Sequence, residues 1–137
     1  MPTIFVAISR NLGEWAADVG LTKHVFKVGI TDGDPKDAVE QLNQTTHAGQ
    51  TDWQLIGKQA VEGIDEAAIE ERIARKEKLV DPGLYPKIRG ARGIFKVKPT
   101  NVENHLLVKM ALEGGEPKAV KIKPKDVGNY LILNATK

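Results

Sequence analysis

The sequence predicts a single α+β domain in which a small mixed or antiparallel sheet is flanked by helices. The chain has 137 residues, of which 41% are hydrophobic and 28% are charged, as in an ordinary globular domain. Short segments in which apolar and polar residues alternate predict strands, and segments with helical periodicity lie between them. Glycine, proline and capping residues separate these segments, so the order of elements follows from the sequence.

The composition excludes several kinds of protein. No cysteine is present, which excludes disulfides, thiolate zinc sites and cysteine nucleophiles. Apolar runs such as residues 131–133 are far too short to cross a bilayer. The N-terminal segment has no basic region before its apolar stretch and does not read as a secretory signal. We therefore expect a cytoplasmic protein with no membrane partner.

Two strands open the predicted domain. Residues 3–9 and 24–31 alternate and are rich in β-branched and aromatic side chains, so we expect them to pair as a hairpin. The connection between them contains Asn11, Gly13 and Gly20, with one helical turn predicted at residues 15–17.

A helix, a strand and a second helix follow. Asp34 and Pro35 predict the start of a helix over residues 35–43, since Asp caps helices and Pro suits their first turn. That helix should bury Ala38, Val39 and Leu42. Residues 53–61 predict the next strand, and residues 67–79 predict a helix ended by Asp81, Pro82 and Gly83.

The rest of the chain predicts a mixed extension. Residues 93–98 predict a strand, residues 100–112 a helix, residues 119–122 another strand and residues 125–133 a short helix. We divide the chain into a core over residues 1–98 and a C-terminal α/β extension over residues 99–137, packed on the same domain.

The charge changes sign in the middle of the chain. Residues 31–71 contain ten acidic residues and two lysines, a balance of −8, whereas residues 73–102 have a balance of +6. Within the basic part, residues 87–93 place two arginines among glycines, a pattern suited to contacting a phosphate backbone. The alternative is a solvated surface that balances the acidic segment in the fold.

The motifs of the first 98 residues resemble those of the GIY-YIG nuclease superfamily. Residues 26–31 read Phe-Lys-Val-Gly-Ile-Thr, Asp34 and Pro35 form the next turn, and residues 41–43 read Gln-Leu-Asn. Ile69-Glu70 falls on the helix where the family places its glutamate. The similarity is greatest to the phage-type branch, in which the second strand reads like Lys-Ile-Gly, and it covers about residues 3–98.

This resemblance implies a phosphodiester site with several substitutions. The family uses the glutamate as a metal ligand, two strand tyrosines near the water and phosphate, and an arginine against the phosphate. Gly29 and Glu70 match the family, but Phe5 and Lys27 stand at the tyrosine positions and Ala38 stands near the arginine position. A phenyl ring cannot transfer a proton and a methyl group cannot neutralise a phosphate. The resemblance therefore implies catalysis that is reduced or lost.

Our leading hypothesis is a nucleic-acid-binding protein on a GIY-YIG-like fold, with DNA as the favoured ligand. The side chains expected to contact phosphates are Lys27, Lys36, Arg89, Arg92 and Lys96. The first alternative is an active endonuclease, in which Glu70 binds Mg²⁺ or Mn²⁺ and Lys27 replaces a tyrosine in catalysis.

The second alternative is a protein-interaction module of phage or mobile-element origin. Its acidic segment, residues 31–71, would then be the partner surface. Other chemistry has less support, because His24, His47 and His105 lack metal-ligand spacing and Ser9 belongs to no triad signature. We interpret these histidines as surface or hydrogen-bonded residues.

Overall fold

An antiparallel five-stranded sheet flanked by helices forms the fold, and it confirms the α+β class. The structure is a computed structural model that describes residues 2–20, 24–80, 85, 93–114 and 122–136. Its strands are β1 (Thr3–Ile8), β2 (Val25–Thr31), β3 (Gln54–Ala60), β4 (Lys78–Leu79) and β5 (Ile94–Lys96). Its helices are α1 (Arg10–Asp18), α2 (Pro35–Gln44), α3 (Glu66–Ala74), α4 (Pro99–Leu112) and α5 (Pro124–Thr136), with a 3₁₀ turn at His47–Gly49. The strand order is β3-β1-β2-β5-β4. None of the helices in the described ranges is long and apolar enough to cross a membrane.

Strands β1 and β2 pair antiparallel as expected, but a helix longer than the predicted turn at residues 15–17 connects them. Ser9 caps α1 by accepting a hydrogen bond from the backbone N–H of Leu12 at 3.1 Å. The Ser9 hydroxyl in turn donates to Asp52, which also accepts from the backbone N–H of Asn11 at 3.1 Å. Because Asp52 lies far away in the sequence, local patterns could not reveal this support for the helix.

Helix α2 confirms the prediction made from its capping residues. Asp34 accepts a hydrogen bond from the backbone N–H two residues later at 2.9 Å, and Pro35 occupies the first turn. Val39 is buried, while Ala38 and Leu42 are partly buried against the same apolar cluster. The helix therefore lies with its apolar side on the sheet.

Helix α3 is shorter than the predicted helix over residues 67–79. Asp65 caps its N-terminus, accepting from a backbone N–H at 2.8 Å, but the helix ends at Ala74. A turn at residues 75–77 leads into β4, which pairs with β5, and the N–H of Val80 donates to the carbonyl of Ile94 at 2.8 Å. Pairing with a distant strand thus outweighs the helical propensity of this segment.

The two faces of the sheet carry separate apolar cores, since alternate strand residues point to opposite faces. One face packs against α3, α4 and α5 through residues that include Ile4, Val6, Phe26, Val28 and Phe95. The other packs against α1, α2 and Trp53 through residues that include Phe5, Ala7, Val25 and Ile94.

The C-terminal helices pack on the first of these faces. Helix α4 confirms the helix predicted over residues 100–112, and α5 extends the one predicted over residues 125–133 at both ends. Leu131 and Ala135 of α5 are fully buried in the core that β1 and β2 also line. The strand predicted at residues 119–122 falls mostly outside the described residues.

Glu77 connects the end of α3 to the C-terminal helices. Its carboxylate is 3% exposed and accepts hydrogen bonds from the backbone N–H of Lys98 at 2.7 Å, the amide of Asn101 at 2.8 Å and the hydroxyl of Tyr130 at 3.1 Å. Lys98 is the N-cap residue of α4 and has no side-chain cap of its own. Glu77 therefore accepts a hydrogen bond from a backbone N–H group at the start of α4, although it lies in a distant part of the chain.

Candidate nucleic-acid interface

An open groove of about 340 Å³ lies on the sheet face that α2 covers. It is bounded by β2, α2, the 3₁₀ turn and the first turn of α3. The residues relevant to its chemistry are Phe5, Lys27, Gly29, Ala38, His47 and Glu66. The groove therefore combines an apolar ring, a cation, an imidazole and a carboxylate.

Four of the positions singled out by sequence line this one groove. Phe5 and Gly29 are register partners on β1 and β2, Lys27 lies two residues before Gly29, and Ala38 faces them from α2. Glu70 is half-buried on α3 and is not among the residues that line the groove.

Phe5 and Gly29 are in close contact across the strand pair. A Cβ atom at position 29 would lie 2.7 Å from Cζ of Phe5, closer than real Cβ contacts. Phe5 is only 5% exposed, so its ring fills part of the space that a side chain at position 29 would need. The ring offers the groove an apolar surface and no proton donor.

Lys27 lies where the basic segment joins the sheet. Lys27 is 6% exposed. Its register partners on the two neighbouring strands are Ala7 of β1 and Ile94 of β5. A Cβ at Gly93 would lie 2.9 Å from Nζ of Lys27 and 2.5 Å from the carbonyl oxygen of Val28. Gly93 has φ +79°, a left-handed conformation that favours glycine. Close packing and backbone conformation together explain glycine at position 93.

Lys36 and Lys96, two of the other predicted phosphate contacts, are not among the residues that line this groove. Lys36 is exposed in the first turn of α2, outside the groove lining. Lys96 is half-buried on β5, in register with Val25 and on the same face of the sheet as Lys27. Arg89 and Arg92 lie outside the described residues, although Gly93, which follows Arg92, is adjacent to Lys27 Nζ.

Sequence reasoning did not single out His47 or Glu66 for this site. His47 lies between Thr46 and Ala48, which have the left-handed φ values 51° and 55°. Its ring is 5.8 Å from that of Trp53, whose indole N–H donates to the His47 carbonyl at 3.0 Å. No motif spacing indicates this histidine. For Glu66, the sequence feature that could have indicated a place in the site is its position one helical turn before Glu70.

The charged side chains that line the groove are Lys27 and Glu66. Lys27 supplies positive charge, and neither Phe5 nor Ala38 supplies a polar group. Among the described residues, no group of three or more histidine and acidic side chains could hold a metal ion. Within the groove, His47 and Glu66 are the side chains of metal-ligating type.

Comparison with protein-family models, with curated proteins and with solved structures found no match to this chain.

Proposed function

We propose that this chain binds nucleic acid, with DNA as the favoured ligand, on a fold that resembles the GIY-YIG nucleases, and that cleavage is reduced or lost. One observation carries the proposal: Phe5, Lys27, Gly29 and Ala38, which the resemblance makes functional, line a single groove. Pairing of β1 with β2 brings Phe5, Lys27 and Gly29 together, and Ala38 reaches the same groove from α2.

Charge supports the same proposal. Nζ of Lys27 lies beside Gly93, at one end of the segment that contains Arg89 and Arg92. A cation at a groove attracts the phosphate backbone in a salt-dependent way and helps to fix its position without reading its sequence. Reduced cleavage follows from the phenyl ring at position 5 and the methyl group at position 38, because neither supports proton transfer or neutralises a phosphate.

Replacing Lys27 tests the proposal. Lys27→Met keeps the buried aliphatic stem and removes the charge, while Lys27→Arg keeps the charge. We expect Lys27→Met to weaken binding to duplex DNA and to reduce the slope of log K against log salt by about 1. Lys109→Met is the matched control, since Lys109 is exposed on α4, which packs on the opposite face of the sheet. Equal affinities and slopes for Lys27→Met, Lys109→Met and the unmodified chain would refute the proposal.

A metal-dependent endonuclease is the second candidate, because Glu66 and His47 line the groove. This candidate predicts cleavage that requires Mg²⁺ or Mn²⁺ and that Glu66→Gln abolishes. The sequence resemblance instead assigns the metal to Glu70, one turn later on α3. Comparing Glu66→Gln with Glu70→Gln distinguishes the two carboxylates, and intact DNA after prolonged incubation with either metal would exclude the nuclease.

A further inference from the structure

A pocket of about 180 Å³ opens between the starts of α4 and α5. Among the ten described residues that line it, eight are apolar. Six of these eight belong to the core on the α4–α5 face of the sheet or pack against it, namely Ile8, Phe26, Val97, Val102, Ile122 and Val127. The pocket is therefore a gap at the edge of an apolar core, on the opposite face of the sheet from the groove.

Short side chains explain why this gap is not filled by the chain itself. Val97, Val102 and Val127 form its buried side, and each is at most 6% exposed. Pro99 and Pro124 are exposed at its mouth, where each begins a helix. Proline suits the first helical position, but its ring is compact. Small residues at all five positions leave the space between the two helix starts open.

Water is a poor occupant of this pocket. A buried water needs about two to four hydrogen-bond partners, and cavities lined by apolar side chains stay dry. The two polar residues of the lining are His24 and Lys123. An apolar ligand would instead gain the free energy of leaving water, together with contacts to side chains that now border a void. The lining therefore favours an apolar occupant.

The volume of the pocket indicates the size of that occupant. An apolar cavity of about 150 Å³ accommodates benzene. The volume here, about 180 Å³, is slightly larger. It therefore matches one benzene ring with a small substituent.

Two carboxylates at the mouth disfavour a negatively charged ligand. Glu77 accepts a hydrogen bond from the backbone N–H of Lys98 at 2.7 Å, and Asp126 accepts one from the backbone N–H of Lys123 at 3.0 Å. Lys98 and Lys123 directly precede α4 and α5, so these N–H groups are already occupied by anions. The side chain of Lys123 is exposed, and water weakens the attraction of an exposed ammonium for an anion.

We infer that this pocket binds an uncharged apolar molecule of the size of a substituted benzene ring. The ligand enters between the starts of α4 and α5 and completes the core beneath them. This binding site goes beyond the proposed function and does not depend on it, because the groove and the pocket lie on opposite faces of the sheet.

Toluene is the probe, and benzoate is its negatively charged counterpart of similar shape. We expect toluene to bind saturably, to raise the midpoint of thermal unfolding and to shift the methyl NMR signals of Ile8 and Val127. Benzoate at the same concentration should bind more weakly. Equal affinities for toluene and benzoate, or no saturable binding of toluene, would overturn the inference.

Filling the pocket locates the site. Val127→Phe should weaken toluene binding about tenfold or more, because the larger ring occupies the ligand's space. Val108→Phe is the matched control, since Val108 is 59% exposed on α4 and does not line the pocket, and it should leave the affinity unchanged. Toluene binding that Val127→Phe retains in full would overturn the inference.

A milder substitution decides the question if Val127→Phe does not fold. Val127→Ile narrows the pocket by one methylene, so it should weaken the binding of toluene more than that of the smaller benzene. An unchanged preference for toluene over benzene in Val127→Ile would contradict the assignment of the pocket as the site.

Discussion

The ring of Phe5 lies so close to Gly29, its partner on β2, that a Cβ at position 29 would come within 2.7 Å of the ring carbon Cζ. This contact makes the floor of the groove apolar and explains why a strand residue at that position is glycine. Gly29 would otherwise weaken the strand, since glycine is unfavourable in strand interiors. Close packing against Phe5 therefore accounts for Gly29 independently of any catalytic role.

Gly29→Ala should lower the free energy of unfolding by about 1–3 kcal/mol, because the added methyl overpacks the Phe5 ring. Urea denaturation measures the loss. Phe5→Leu provides the control, since a smaller side chain leaves room for the new methyl. The double variant Phe5→Leu/Gly29→Ala should lose less stability than the sum of the single variants. Strictly additive losses would show that the two residues do not compete for the same space.

Glu77→Ala should destabilise the fold by about 1–3 kcal/mol, because it leaves a buried donor on Tyr130 and partly buried donors on Lys98 and Asn101 without their acceptor. Glu77→Gln should cost less, since its amide oxygen can still accept one hydrogen bond. Thermal and urea unfolding measure the stabilities of the unmodified chain, Glu77→Gln and Glu77→Ala, which should fall in that order. Equal stability for Glu77→Ala and the unmodified chain would contradict the assigned role of this carboxylate.

Tyr130 should make stability depend on pH in the alkaline range. Burial, followed by the nearby Glu77 carboxylate, raises the pKa of Tyr130 from 10.0 to about 12. The unfolded chain releases this proton near pH 10, whereas the folded chain keeps it until about pH 12. The contribution is therefore fully present below pH 10 and falls as pH rises toward 12.

Two measurements check this prediction. Unfolding free energies between pH 9 and 11 should fall more steeply for the unmodified chain than for Tyr130→Phe. The chain has two tyrosines, so Tyr85→Phe leaves Tyr130 as the single phenol for a spectrophotometric titration. A folded Tyr85→Phe protein whose phenol titrates at the ordinary tyrosine pKa would contradict the raised value.

Asp52→Ala should destabilise α1 by about 0.5–2 kcal/mol, the usual effect of losing an N-terminal cap. Asp52 accepts hydrogen bonds from the Ser9 hydroxyl and from the backbone N–H of Asn11. Asp32→Ala is a suitable control because Asp32 is exposed in a turn. Urea denaturation and the loss of helical circular dichroism report the effect. Equal losses of stability for Asp52→Ala and Asp32→Ala would contradict the role of Asp52 in supporting the cap of α1.

Local signals explain which elements the sequence predicted well. Helix α2 begins at Asp34 and Pro35, and a cap and a first-turn proline act on their immediate neighbours. The predicted end of α3 was wrong because Lys78 and Leu79 pair with β5, a contact between residues distant in the sequence. The length of α1 was underestimated for a similar reason, since Asp52 supports the cap from another part of the chain.

In the candidate site, too, the sequence predicted some residues and missed others. Motif order indicated Phe5, Lys27 and Gly29, and these residues line one groove. His47 and Glu66 belong to the groove only because the 3₁₀ turn and the start of α3 fold against it. No spacing in the sequence relates these two side chains to β2, so the three-dimensional structure was needed to find them.

The most direct test of the proposed function is the affinity of the unmodified chain for duplex and single-stranded DNA at low and moderate salt. The account predicts measurable binding at low salt, with log K falling linearly as log salt rises and little dependence on base sequence. Undetectable or salt-independent affinity for both forms of DNA would contradict it.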